Sequence, residues 1–100
     1  MYLIRDIMFC KPGQVKSMVE KFKTIGNAIK KAGFQGHQHI LTDVSSERYW
    51  MAVFEIEVES LDGYEEMVRK SSSDPALQEA MKDYHSLVES GRREIYKIES

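Results

Sequence analysis

The 100-residue sequence predicts an α+β fold, in which one four-stranded antiparallel sheet carries helices on a single face. Short apolar runs with the alternation of β-strands are separated by longer segments in which apolar residues recur every three or four positions. These segments follow the order strand, helix, strand, strand, interrupted helix, strand. A chain of this length fits one domain, which we place at residues 1–100.

The first strand is predicted over Tyr2–Cys10, where an apolar run ends at the turn-forming sequence Lys11-Pro12-Gly13. A helix follows from Gln14 and ends at Gly33, because glycine readily takes the left-handed conformation that closes a helix. The apolar stripe of this helix has helical spacing and consists of Val15, Met18, Val19, Phe22, Ile25, Ile29 and Ala32.

Two further strands, over Phe34–Thr42 and Tyr49–Glu59, are predicted to pair as a hairpin around a polar connection. A register that opposes Ile40 with Trp50 brings the bulky apolar side chains of both strands together. In that register the helix-facing side chains of the second strand are Trp50, Ala52, Phe54, Ile56 and Val58.

The second helix is predicted to begin at Ser60 and to break at Ser71-Ser72-Ser73. It restarts at Asp74-Pro75, which supplies an aspartate N-cap and a proline at the first helical position. The restarted helix is predicted to end at Gly91, and a last strand follows over Arg93–Glu99. Right-handed crossovers then give a ferredoxin-like βαββαβ arrangement with sheet order 4-1-3-2.

The sheet face away from the helices is predicted to be partly apolar, because it would carry Tyr49, Met51 and Val53. An apolar face of this kind is normally covered, and the sheet of a second copy is the economical cover. We therefore predict a homodimer packed sheet to sheet, in which Arg5, together with Glu55 and Glu57, faces the partner sheet in a charge-paired interface.

The charge balance and the single cysteine exclude several classes of protein. Fourteen basic and sixteen acidic residues give a net charge of −2, without the basic surface of a nucleic-acid binder. No apolar run is long enough for a membrane span, so no membrane partner is expected. One cysteine forms no intrachain disulfide, which favours a cytoplasmic location, and Cys10 is expected to be an inert small hydrophobe.

The element order, the strand that ends at Lys11-Pro12-Gly13, and the restart Ser73-Asp74-Pro75-Ala76-Leu77 together resemble the dimeric α/β-barrel superfamily. The similarity is to its NIPSNAP-like and antibiotic-biosynthesis-monooxygenase-like members, and it covers nearly the whole chain. It implies a ferredoxin-like protomer and a dimeric α/β barrel. The superfamily includes cofactor-independent monooxygenases, haem-degrading enzymes and isomerases, so the resemblance implies a fold rather than one activity.

The haem-degrading branch has a pattern of Asn on the first strand, Trp on the second helix and His after the helix break. The corresponding positions here carry Asp6, Tyr64, and Ala80 or Met81. Because none of the three residue types matches, haem degradation is rejected, and no cofactor is predicted.

Asp6 is the most unusual residue, because a carboxylate in the middle of a strand is costly to bury without a partner. If it faces the helices, it is the candidate general base for a phenol-like substrate. The alternative is a carboxylate paired across strands or with a hydroxyl. The candidate catalytic residues on the first interpretation are Asp6, Tyr64, Tyr84 and His85.

A His-x-His pair places His37 and His39 on one face of a strand, as some metal sites need. Glu55 and Glu57 would share that face. Nothing in the spacing fixes a third ligand, so we predict surface or interface histidines and no metal, with acid–base chemistry and metal binding as the alternatives.

Two functions remain. The first is a homodimeric binding module that holds a small apolar or aromatic molecule between sheet and helices. The alternative is a cofactor-independent monooxygenase or isomerase acting on such a molecule. A connected cavity of about 300 Å³ or more that reaches Asp6 would favour the enzyme, and a filled core would favour the binding module. The predicted ligand-binding residues are Trp50, Phe54, Met67 and Met81.

Overall fold

The computed structural model describes residues 1–100 as one antiparallel sheet with a helical layer on one face. The elements are β1 (Tyr2–Cys10), α1 (Val15–Lys31), β2 (Gln38–Thr42), β3 (Met51–Val58), α2 (Leu61–Ser71), α3 (Pro75–Met81), a 3₁₀ turn (Tyr84–Leu87) and β4 (Val88–Lys97). The strand order β2-β3-β1-β4 confirms the predicted ferredoxin-like topology.

The main core lies between the sheet and α1, where the predicted apolar stripe of that helix packs against the sheet, with Met18, Phe22 and Ile29 buried and its other members half-buried. Phe22 of α1 stacks on Phe54 of β3, with ring centroids 5.6 Å apart. Met18 and Ile4 are each only 1% exposed in the same cluster. Burial of these side chains removes their apolar surface from water and holds α1 against the sheet.

The two predicted helix starts on the second crossover are both correct. The Ser60 side chain accepts a hydrogen bond from the Gly63 amide, and the Asp74 carboxylate accepts from the amides of Ala76 and Leu77. These caps satisfy amides that have no partner within the helix. None of the helices combines the length and the apolarity needed to cross a bilayer.

The predicted register of the β2–β3 hairpin is wrong. Ile40 lies opposite Phe54 rather than Trp50, and β3 begins only at Met51. Trp50 stands outside the strand in the left-handed region, with φ 62°. The Asp43 carboxylate accepts from the Met51 amide at 2.8 Å and so ends the connecting loop one residue after Trp50. The error is four residues, an even number, so His39 keeps the predicted face, which it shares with Glu55, and it now lies opposite Glu55.

The predicted boundary at the end of the chain is also wrong. The helix that restarts at Pro75 ends at Met81, and β4 begins at Val88. Gly91 lies within β4 opposite Met8, where a Cβ would sit 2.9 Å from the Met8 sulphur. The glycine therefore gives room to a side chain on the neighbouring strand and does not end a helix.

The sheet face away from the helices carries a second apolar cluster, formed by Ile7, Phe9, Met51 and Val53. All four are buried within a single chain. Arg48 of the β2–β3 loop lies over the Phe9 ring at 4.1 Å and reaches Glu89 of β4 at 3.4 Å. The loop and its arginine thus cover much of the apolar surface that was predicted to be open.

Two of the expected groups behave differently on this face. Tyr49 lies in the loop and is 85% exposed, so it does not belong to the strand. Arg5 is paired within one chain, with Glu55 at 3.2 Å and with Glu94 at 3.7 Å, so its charge is already balanced without a partner sheet. We call this side of the sheet, with Arg5 at its centre, the outer face.

Candidate ligand cavity

A cavity of about 300 Å³ lies between the sheet and the helical layer, and we call it the central cavity. It is lined by 15 residues, of which 11 are hydrophobic. The strands supply side chains such as Met8 and Phe54, α1 supplies Ile25, and α3 supplies Leu77 and Met81. Its apolar lining and its volume are those of a small-molecule site.

The polar end of the central cavity is an ion pair between Asp6 and Arg93. These residues are opposite each other on β1 and β4, and both side chains point to the helical side of the sheet. Arg93 Nε donates to Asp6 Oδ1 at 2.6 Å, and Nη2 lies 3.5 Å from Oδ2. Asp6 is therefore paired across strands, and this hydrogen bond raises the pKa of Arg93.

Tyr64 of α2 stands beside this pair, with the Arg93 guanidinium 5.7 Å from its ring centre. Burial raises the pKa of the Tyr64 hydroxyl, while the charge of Arg93 acts in the opposite direction. The hydroxyl accordingly keeps its proton at neutral pH. Tyr64 can donate a hydrogen bond to a bound molecule but is not suited to remove a proton from one.

A second depression of about 500 Å³, the adjoining groove, shares Asp6, Met8, Tyr84 and Arg93 with the central cavity. His85 lines this groove and not the central cavity. Its ring packs on that of Tyr84, with centroids 4.0 Å apart. The Asp6–Arg93 pair therefore lies where an apolar interior meets a more polar groove.

The structure brings some of the predicted site residues together and separates others. Asp6, Tyr64 and Tyr84 all line the central cavity, and among the predicted ligand-binding residues Phe54 and Met81 line it too.

Two predicted ligand-binding residues lie elsewhere, and both assignments are corrected. Trp50 is excluded from the cavity because β3 starts after it, and it lines a separate surface groove with Val15 and Val19 of α1. Met67 is 8% exposed and packs into the main core cluster. It borders a depression near Phe34 and not the central cavity.

Arg93 is the important residue that the sequence prediction misses. A single acid in the middle of β1 requires a partner, and antiparallel pairing with β4 provides one. The signal is the Arg92-Arg93 sequence in the last strand, but it becomes useful only once β4 is known to begin at Val88. A strand that starts at Arg93 gives no reason to place this residue opposite Asp6.

The remaining candidate groups are placed outside the cavity. His37 and His39 are exposed at the edge of the sheet, with parallel rings whose centroids are 6.4 Å apart. No cluster of three or more His, Cys, Asp or Glu side chains suited to a metal occurs in the protein. Burial raises the pKa of the Cys10 thiol, so this residue is not a reactive thiolate at neutral pH.

Comparison of the sequence with protein-family models and with curated proteins finds no match. Solved structures do match. An uncharacterised NIPSNAP domain protein from Burkholderia xenovorans gives a TM-score of 0.79 at 13% identity, over 98% of this chain and 94% of that one. A NIPSNAP family protein of unknown function from Agrobacterium tumefaciens gives 0.78 at 16% identity, over 98% and 87% of the two chains.

A candidate antibiotic biosynthesis monooxygenase from Deinococcus radiodurans gives a TM-score of 0.67 at 10% identity, over 100% of this chain and 94% of that one. These structures confirm the predicted resemblance at the level of the fold. At such identities the similarity carries no activity from one protein to another.

Proposed function

We propose that the protein binds a small apolar or aromatic molecule in the central cavity. The observation that carries this proposal is a cavity of about 300 Å³ with 11 hydrophobic residues among its 15 lining residues. An apolar cavity of about 150 Å³ is large enough for benzene, so the central cavity suits a body of about two rings.

The energetics of packing support a ligand in this place. Protein interiors are normally filled to the density of organic crystals, and an unfilled apolar cavity costs stability. The lining side chains come from both layers, including Phe54 of the sheet and Leu77 of α3. A bound apolar molecule would restore the missing contacts and hold the two layers together.

The test is a titration with 2-naphthamide, a neutral two-ring probe, followed by the chemical shifts of the protein amides. Leu77→Trp should abolish binding, because the larger side chain would fill the cavity from α3. Leu61→Trp is the matched control, since Leu61 is 38% exposed on α2 and does not line the cavity. Absence of binding to the unmodified protein, or equal binding to both variants, would contradict the proposal.

The second candidate function is a cofactor-independent monooxygenase or isomerase. It is favoured by one observation: the cavity has the expected volume and reaches Asp6. In this mechanism Asp6 would accept a proton from a phenol-like substrate, and Tyr64 would donate a hydrogen bond to the resulting oxyanion. The cavity thus meets the condition that favours the enzyme, but the Asp6 carboxylate already accepts a hydrogen bond from Arg93, and for this reason we place binding first.

Turnover of the bound molecule separates these two functions. If the protein is an enzyme, Asp6→Asn should remove turnover while the neutral probe still binds. Tyr84 and His85 would then act from the adjoining groove, where their rings are in contact.

We also propose that the protein forms a homodimer through the outer face and works in the cytoplasm. The support for the dimer is the fold itself together with Leu41 and Tyr96, two apolar side chains on this face that are 38% and 49% exposed. Arg5 and its two acidic partners would lie near the middle of such an interface. The single cysteine supports the proposed location.

A further inference from the structure

We propose that the central cavity selects molecules with a carboxylate attached to an apolar body of about two rings, and that Arg93 binds the carboxylate. This inference rests on the proposed binding function and adds the chemical class of the ligand. It follows from the geometry of the Asp6–Arg93 pair, from its position, and from the charges around it.

The Arg93 guanidinium is only partly used within the protein. Asp6 occupies its side edge, with one short contact from Nε at 2.6 Å and one long contact from Nη2 at 3.5 Å. Nη1 donates to no protein group, and the side chain is 52% exposed. The end of the guanidinium, formed by Nη1 and Nη2, is thus free to bind a second carboxylate through two parallel hydrogen bonds.

The position of Arg93 fits a molecule with one apolar and one charged end. Arg93 lines both the apolar central cavity and the adjoining groove, so a ligand body in the cavity would place its polar group at the guanidinium. The Tyr64 ring lies next to the guanidinium, with its centroid 5.7 Å from Arg93 Cζ. A carboxylate at this point would remain in contact with water from the groove.

The charged residues that line the central cavity and the adjoining groove determine how strongly a bound carboxylate would be opposed. In the central cavity Asp6 and Arg93 are the only charged lining residues, and they neutralise each other. In the groove Glu89 is paired with Arg48, and Arg92, which also lines the groove, is paired with Glu94. Asp6 is therefore the main group that opposes a bound carboxylate, and its removal should strengthen acid binding.

The experiment compares 2-naphthoate with 2-naphthamide, which has the same shape and no charge, by titration at constant ionic strength. The protein should bind 2-naphthoate about tenfold more tightly, as expected for charge-assisted hydrogen bonds. Arg93→Gln should remove this preference, so that the two probes bind with affinities within about threefold of each other. Arg69→Gln, which removes an exposed charge from α2 outside both depressions, should change neither affinity.

Asp6→Asn tests the direction of the effect. It removes the opposing charge and leaves Arg93 Nε only a neutral amide oxygen as acceptor, so the affinity for 2-naphthoate relative to 2-naphthamide should rise several-fold. If Arg93→Gln fails to fold because Asp6 is left without a partner, the double variant Asp6→Asn, Arg93→Gln replaces it. The double variant should bind both probes equally.

The results of these titrations distinguish failure of this inference from failure of the proposed function. If 2-naphthamide binds and 2-naphthoate binds no better, or if Asp6→Asn weakens 2-naphthoate binding, the inference is wrong while the proposed function stands. If neither probe binds, the proposed function fails as well.

Discussion

Lys21 is a largely buried cation that joins α1 to the end of α3, with its side chain only 16% exposed. Its ammonium donates to the Ala80 carbonyl at 2.8 Å and to the Asp83 carboxylate at 2.5 Å. The hydrogen bond from Lys21, together with its charge, holds the pKa of Asp83 below the ordinary value. The interaction connects α1 to the C-terminal end of α3 next to Met81, which lines the central cavity.

Asp83 should therefore stabilise the fold in a pH-dependent way. Because its pKa is lower in the folded state, its contribution is present above the unfolded pKa of about 3.9 and is lost as pH falls through the folded value. We expect Asp83→Asn to lower the urea midpoint at about pH 7 and to have no effect at about pH 2. Glu65→Gln, at an exposed position without an ion pair, is the control, and an equal loss at both pH values would contradict the assignment.

For Asp6, the sequence predicts that the carboxylate needs a partner but does not identify that partner. Its position within β1 indicates a carboxylate that needs a partner, and this requirement follows from the cost of burying charge. The identity of the partner depends on the start of β4, which no residue near Asp6 determines. The role of Asp6 as the base of an enzyme remains a prediction, as does the role of His85 in the groove.

Trp50 holds the loop before β3 in a conformation that glycine would adopt more easily. Its φ of 62° lies in the left-handed region, where a side chain is unfavourable by about 1–2 kcal/mol. Trp50→Gly and Trp50→Ala both remove the ring, but only alanine keeps the strain. We expect the glycine variant to be more stable than the alanine variant by about 1 kcal/mol in urea unfolding. Equal stabilities would show that the loop relaxes when the ring is removed.

The helices and strands were predictable to different degrees for physical reasons. The caps at Ser60 and Asp74 are local signals, and both helices start where those signals place them. The structural role of Gly91 cannot be predicted from the residues next to it, because a glycine can end a helix or make room for a side chain on another strand. Here a Cβ would meet the Ile7 carbonyl oxygen at 3.2 Å and the Met8 sulphur at 2.9 Å, and both atoms belong to β1, far from Gly91 in the sequence.

At the scale of the whole molecule, the proposed homodimer depends on the outer face. The structure buries Val53 within one chain, so a charge at this position would disturb the fold before it disturbed an interface. Tyr96 and Ile95 form a better pair, since they are adjacent on β4, are 49% and 48% exposed, and point to opposite faces of the sheet.

Light scattering at micromolar concentration should find a dimer for the unmodified protein. Tyr96→Glu should weaken it, because the new carboxylate would lie on the outer face beside Glu94. Ile95→Glu should leave it intact. A monomeric unmodified protein would rule out the dimer, and equal effects of the two substitutions would rule out the proposed face.

The central cavity, finally, is a property of the complete fold, because β1, β3, β4 and all three helices contribute to its lining. Sequence patterns predict the two layers that enclose it, but the volume left between them depends on side-chain packing, which those patterns do not describe. The proposed binding function depends on this cavity, so the most direct test is to detect a ligand inside it.

That test is the measurement of nuclear Overhauser effects between 2-naphthamide and the protein. We expect the ring protons of the probe to show contacts with the side chains of Ile25, Leu77 and Met81, which face the central cavity from α1 and α3. Contacts with Val15 and Val19 beside Trp50 instead, or no contacts with any cavity residue, would contradict the account.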